Sequence, residues 1–370
     1  MSGFFKYGHS AASQWREAAQ ACLSQMGDVP ATANLGFIYV TDILAGHTQD
    51  ILSMLKQATG VAHWVGSTGL GICSTGQEYL DQPALAIMLG EFPPQTFRVF
   101  PTIRSPLEMQ DAVAIGNSAA YFGIVHGDPE NQNIPGLIEQ FAARMESGFV
   151  VGGLTSSRNE NVQVADDLTH GGLSGVVFTS DVALTTRLTQ GVSPIGVLHE
   201  ITECEDNVIM RLDGRPALDV LKEEIGEVLS RDLKRLSNYI FVGLPIAGTD
   251  TGDYLVRNLL GIDVEQKLLA IGDTIENGRQ LLFCRRDGAS AVKDMQRMLG
   301  DIKSGFAGEP RGALYYSCLG RGESLFGADS EELKMISRAL GDIPLVGFFA
   351  NGEISHNRLY GYTGVLTVFL

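Results

Sequence analysis

Basic residues are scarce in this chain: 27 lysines and arginines stand against 43 aspartates and glutamates, a formal net charge of −16. Nucleic acid and anionic lipid are both held by positive surface, so neither is an expected partner. Long apolar runs are missing too. Glycine, proline or charge interrupts each one before it reaches membrane-span length. The opening Met1-Ser-Gly-Phe-Phe-Lys-Tyr-Gly-His9 lacks a basic segment followed by an apolar stretch and a cleavage site, so export is not expected. Cysteine is thin and scattered: Cys22, Cys73, Cys204, Cys284 and Cys318 are odd in number and form no Cys-x-x-Cys pair. That removes the usual zinc and redox spacings and fits free thiols in a reducing cytoplasm.

What is abundant is apolar surface and glycine. Hydrophobic residues make up 44%, charged residues 19%, and there are 44 glycines, many inside or beside apolar runs. Such placement favours strands that approach each other closely and tight turns. At 370 residues the chain exceeds one typical core and suggests two domains or two interlocked halves.

One pattern recurs three times. A strand at Leu35–Val40 is followed by a helix with Ile51, Leu52, Leu55 and Ala58 on one face. A second strand ends in Val65-Gly66, and a third lies at Pro83–Leu89. The second copy has Ala120–Val125, a helix with Leu137, Ile138, Phe141 and Met145, Val151-Gly152, and Ser174–Phe178. The last has Leu314–Tyr316, a helix with Leu333, Ile336 and Leu340, Val346-Gly347, and Val365–Phe369. Strand to Val-Gly takes about the length of a β-α-β crossover each time.

Between the copies lie other elements. Trp15 to Met26 has helical spacing, and Ala183 to Leu212 alternates like antiparallel strands with a turn at Glu205-Asp-Asn207. Pro216 opens a long helix striped by Leu218, Leu221, Ile225, Val228, Leu229, Leu233 and Leu236, a natural divider near residue 235. The expected architecture is α/β (α+β): repeated β-α-β-β units in mixed, largely antiparallel sheets. Two such sheets pack face to face between helices, an αββα-like arrangement with domains at 1–235 and 236–370.

Each second strand ends in a small or polar turn: Gly66-Ser-Thr-Gly69, Leu154-Thr-Ser-Ser-Arg158 and Ala350-Asn-Gly-Glu353. Packed side by side, they would converge with the turn at Cys318. Ser67, Thr68, Thr155, Ser156, Asn351 and Glu353 would then meet a small polar ligand, with Arg158 or Arg321 as a bidentate clamp. Ordinary turn-making explains the same residue types. Arg321 beside Cys318 would lower the thiol pKa, which gives an enzyme reading based on Cys318, and Glu353 could instead pair with Arg321. The stretch Gly69-Leu-Gly71-Ile-Cys-Ser74 lacks the third glycine of a dinucleotide fingerprint and reads as a turn.

The run Cys318-Leu-Gly-Arg-Gly322 with Pro344-Leu-Val-Gly-Phe-Phe-Ala-Asn-Gly-Glu-Ile354 resembles the C-terminal half of FIST proteins (F-box and intracellular signal transduction). Val150-Val-Gly-Gly-Leu-Thr-Ser-Ser157 and Gly171-Gly-Leu-Ser-Gly-Val-Val-Phe178 resemble the N-terminal half. Ser193-Pro-Ile-Gly196 and Leu212-Asp-Gly-Arg-Pro-Ala-Leu218 resemble the connecting region. The resemblance implies a cytoplasmic small-ligand sensory module without catalysis of its own, binding a polar metabolite or an amino acid. It would act on a separate partner such as a histidine kinase or a cyclic-dinucleotide enzyme, and a homodimer is compatible with it. Some bacterial members bind haem and respond to nitric oxide, so haem b is the alternative cofactor. His199, on an apolar stretch, and His126, at the end of a buried strand, are then the candidate axial ligands.

Overall fold

The computed structural model describes residues 4–109, 112–116, 118–230, 236, 239–246, 254–306 and 308–370. They form two compact units, Met1–Thr189 with Asp294–Leu370, and Gln190–Lys293. The last segment of the chain therefore packs with the first.

The first unit repeats one plan three times. A lead strand runs through a helix into a parallel partner strand. These pairs are Leu35–Thr41 with His63–Gly69, Phe122–Gly127 with Phe149–Leu154, and Gly312–Cys318 with Leu345–Ala350. The crossover helices are Thr48–Thr59, Ile134–Ala143 and Glu331–Leu340. A return strand then lies antiparallel on the other side of the lead strand: Ala84–Gly90, Leu173–Phe178 and Thr363–Phe369. A flanking strand, Phe5–Ala11, Phe97–Ile103 or Leu184–Gln190, closes that edge.

The other edge is completed by exchange. Between partner and return strand each repeat makes a hairpin, and each hairpin joins a different repeat's sheet. Gly71–Ser74 with Gln77–Leu80, from the first repeat, extends the third sheet. Gln163–Ala165 with Asp167–Thr169, from the second, extends the first. Glu353–His356 with Arg358–Tyr360, from the third, extends the second. The result is three six-stranded sheets of identical order, tied in a ring. The sequence-based expectation of repeated units in mixed sheets flanked by helices holds. The expectation of two sheets does not, and Gly71–Ser74, read as a turn, is a strand.

Alternation along each strand explains why both faces are covered. Leu35, Phe37 and Tyr39 point into a core shared with Phe122, Ile124, Leu314, Tyr316 and Phe348 of the other two sheets. Ile38 and Val40 point outward onto the helices Trp15–Met26 and Thr48–Thr59. The Val-Gly landmark also has a steric cause. A Cβ on Gly66, Gly152 or Gly347 would stand 1.7 Å from the carbonyl oxygen of Ile38, Val125 or Tyr315. No side chain fits where lead and partner strands approach this closely.

The second unit is inserted between the flanking and lead strands of the third repeat. Its strands pair antiparallel in the order Val192–Glu205, Gln280–Arg286, Ile240–Pro245, Tyr254–Asp263, Leu268–Ile271 and Val208–Leu212. Val208–Leu212 pairs back onto Val192–Glu205, which closes a barrel. Leu218, Leu221 and Ile225 of the helix Ala217–Ser230 pack into its core with Ile201, Val242 and Phe283. That helix starts after Pro216 and is broken at Gly226, where φ is 76° and ψ 168°. The expected long helix is thus interrupted, and Leu233 of its stripe lies outside the described residues.

Candidate functional site

The partner strands end at one pole of the first unit, and their corners meet there. Ser67 and Thr155 share a hydroxyl–hydroxyl hydrogen bond of 2.8 Å. The Ser156 hydroxyl donates to the Phe349 carbonyl at 2.5 Å and accepts the Leu70 N–H at 2.9 Å. The Asn351 N–H donates to the Leu154 carbonyl at 3.0 Å, and Thr68 exchanges hydrogen bonds with Val162 at 3.2 Å. Three sheets are thereby stitched together through the residues that the sequence singles out. Ser67, Thr68, Thr155 and Ser156 are buried, so their hydroxyls serve mainly to join the corners. Asn351 is exposed at the rim. Arg158, half-exposed, reaches Asp42 at 3.7 Å and pairs with Asp81.

The Cys318 turn carries a second, buried network. Arg321 is 1% exposed and its Nε donates to Glu332 at 2.7 Å. Glu332 also accepts the Tyr315 hydroxyl at 2.6 Å, the Ser317 hydroxyl at 3.1 Å and the Gly322 N–H at 2.8 Å. The ion pair available to Arg321 is therefore with Glu332 and not with Glu353. Glu353 is fully buried, and its Oε2 accepts both the N–H and the hydroxyl of Thr363, at 3.0 and 2.7 Å. Burial pushes its carboxyl up to about 8. Its Oε1 makes no hydrogen bond.

Burial also moves Cys318 well above the ordinary thiol range, and the Glu353 carboxylate adds to the shift. The lowering by Arg321 is the smaller influence, because that guanidinium is committed to Glu332. The expectation of an activated thiolate is overturned by desolvation.

Neither candidate histidine fits an axial haem ligand. His199 has Nδ1 2.7 Å from Asp213 and Nε2 3.3 Å from Glu224, so both ring nitrogens face carboxylates. His126 is fully buried, with Nε2 3.2 Å from the Tyr39 hydroxyl and its ring packed by Tyr39, Tyr316 and Phe348 at centroid distances of 5.6 to 6.1 Å. Those rings leave no slot for a macrocycle. Tyr39, His126 and Tyr316 occupy corresponding positions, each one residue past the carbonyl that meets the landmark glycine. Among the described residues no group of three His, Cys, Asp or Glu side chains could hold a metal ion.

Two glutamates escape sequence reasoning. Glu332 sits beside Glu331 in an acidic first turn and reads as solvated surface. Its signal is spacing, since Glu332, Ile336 and Leu340 form an i, i+4, i+8 stripe whose other members are buried. Glu78, on the exchanged hairpin, is also buried, and its carboxyl is pushed up to about 8 by burial and by the Glu332 charge. No pattern in its own strand marks it.

Comparison with known proteins gives two family matches: the FIST N domain over residues 34–215 and the FIST C domain over 217–356. An uncharacterized protein of Mycobacterium tuberculosis is 30% identical over 378 residues, covering 95% of this chain and 94% of its own. One of Mycobacterium bovis is 30% identical over 368 residues with the same coverage. Among solved structures, T. maritima PurL complexed with AMPPCP is 11% identical, covering 99% of this chain and 72% of its own, with a TM-score of 0.25. A score that low carries no structural argument.

Proposed function

This chain belongs to the FIST family, and from that premise we propose that it senses a small polar ligand at the joined corners and signals through a separate protein. FIST domains are associated with signal transduction and small-ligand sensing. The observation that carries the reading is the convergence of three sheets on one set of hydrogen bonds, Ser67 to Thr155, Ser156 to Phe349 and Asn351 to Leu154. A ligand that alters one corner there biases all three sheets, which is what a sensor requires.

In this proposal Asn351, Arg158 and Cys318 form the accessible rim that touches the ligand. Ser67, Thr68, Thr155, Ser156, Arg321 and Glu353 form the buried layer that responds. The ligand is a polar metabolite able to accept from Arg158 and exchange hydrogen bonds with Asn351. The output goes to a partner such as a histidine kinase or a cyclic-dinucleotide enzyme, and five unpaired cysteines support action in the reducing cytoplasm. No helix among the described residues is long and apolar enough to cross a membrane.

A polar-metabolite library screened by thermal unfolding tests this. A ligand at 100 times its Kd stabilises by about 2.7 kcal/mol, and that gain is expected to vanish in Asn351→Ala and Arg158→Ala, both at accessible positions. A library without a stabilising member, or stabilisation untouched by both variants, removes the proposal.

A further inference from the structure

At the opposite ends of the lead strands the chain forms a cleft of about 770 Å³. Its walls come from the segment before Leu35, the loop after Ala84–Gly90, the loop after Leu173–Phe178, and the residues flanking the third lead and return strands. The volume lies within the range that small molecules occupy. Phe92 lines it at 5% exposure, its ring fixed by edge contacts with Phe5 at 5.7 Å and Phe369 at 5.6 Å. Asn34 holds the loop that carries it, donating through Nδ2 to the Phe92 carbonyl at 2.6 Å and accepting the Phe92 N–H through Oδ1 at 3.0 Å. Pro93 and Val182 extend the apolar wall. The site is thus rigid before anything binds.

Its charges are unequal. Glu91 and Asp181 supply two carboxylates, and Arg311 is the one basic residue in the lining. Arg311 already donates to the Leu370 carbonyl. Neither acid has an ion-pair partner among the described residues. An anion entering here would face two like charges for each opposite one. A neutral apolar molecule would cover the half-buried Glu91 and give it nothing in exchange for water. A cation gains from both acids and from the Phe92 ring.

The geometry points to a second binding site in this cleft, for an organic cation: a primary or quaternary ammonium group on an apolar body. The body lies along Phe92, Pro93 and Val182, and the charged head stands toward Glu91 and Asp181. This site is separate from the joined corners, and its presence does not depend on what binds there.

Calorimetric titration of the full chain at low ionic strength tests it with three probes of one ring: benzyltrimethylammonium, benzyl alcohol and benzoate. Binding is expected for the ammonium, with weaker or no binding of the alcohol and none of benzoate. Glu91→Gln is expected to weaken the ammonium about fivefold, the size of one exposed charge contact. Asp181 is exposed at the rim, so Asp181→Asn provides the same comparison if Glu91→Gln does not fold. The inference is overturned by absence of ammonium binding, by equal binding of the three probes, or by unchanged affinity in the folded variants.

Discussion

Gly347 lies so close to Tyr315 across their parallel strands that a β-carbon on it would stand 1.7 Å from the Tyr315 carbonyl oxygen. The same distance recurs at Gly66 with Ile38 and at Gly152 with Val125. Backbone, not a movable side chain, forms each obstacle. Replacement by alanine must therefore push two central strands apart.

Gly347→Ala is expected to destabilise the protein by more than about 3 kcal/mol, the upper range for overpacking. Gly300 offers the contrast. It lies in the helix Gly288–Ser304 with no atom within 4 Å of an added Cβ, so Gly300→Ala should stabilise by about 0.5 to 1 kcal/mol. Denaturant unfolding of both variants checks the pair. Equal effects would mean that the close approach is not the constraint.

Tyr39 bridges the other two members of the buried trio, with its hydroxyl 3.2 Å from His126 Nε2 and 3.1 Å from the Tyr316 hydroxyl. Tyr39→Phe strands two buried polar groups, while Tyr316→Phe strands none that lacks another contact in the trio. Expected losses are about 2 to 3 kcal/mol for Tyr39→Phe and about 1 kcal/mol for Tyr316→Phe. The order of the two losses, measured by chemical unfolding, is the decisive outcome. A larger loss for Tyr316→Phe would show that the bridge lies elsewhere.

Stability should fall as pH rises from 6.5 to 8. Glu78 and Glu353 are both pushed up to about 8 from 4.5 by burial. The native state therefore keeps protons that the unfolded chain has released. Their stabilising contribution is complete below about 4.5 and is lost as pH rises through 8. Burial lowers His126 from 6.5 to about 3, so its contribution is lost as pH falls below 6.5 and is constant above. Each carboxyl contributes a slope of up to about 1.4 kcal/mol per pH unit in the upper window. Unfolding curves of Glu78→Gln and Glu353→Gln should each be flatter there than wild type. An unaltered slope in both would show that these carboxyls are ionised in the native protein.

Sequence alone determined the three strand–helix–strand units, because both-face burial and helical stripes leave a readable period. It marked the landmark glycines and the polar corners as well, since only certain residue types suit a close strand approach or a tight turn. Tertiary structure decided what those features do. Hairpin exchange is invisible locally, because any of the three sheets offers the same open edge to Gly71–Ser74, Gln163–Ala165 or Glu353–His356. The partner of Arg321 likewise depended on which helix face turned inward, and Glu332 arrived there through a stripe shared with Ile336 and Leu340. The fate of Cys318 followed from burial, a property of the assembled fold that outweighs the neighbouring cation seen in the chain.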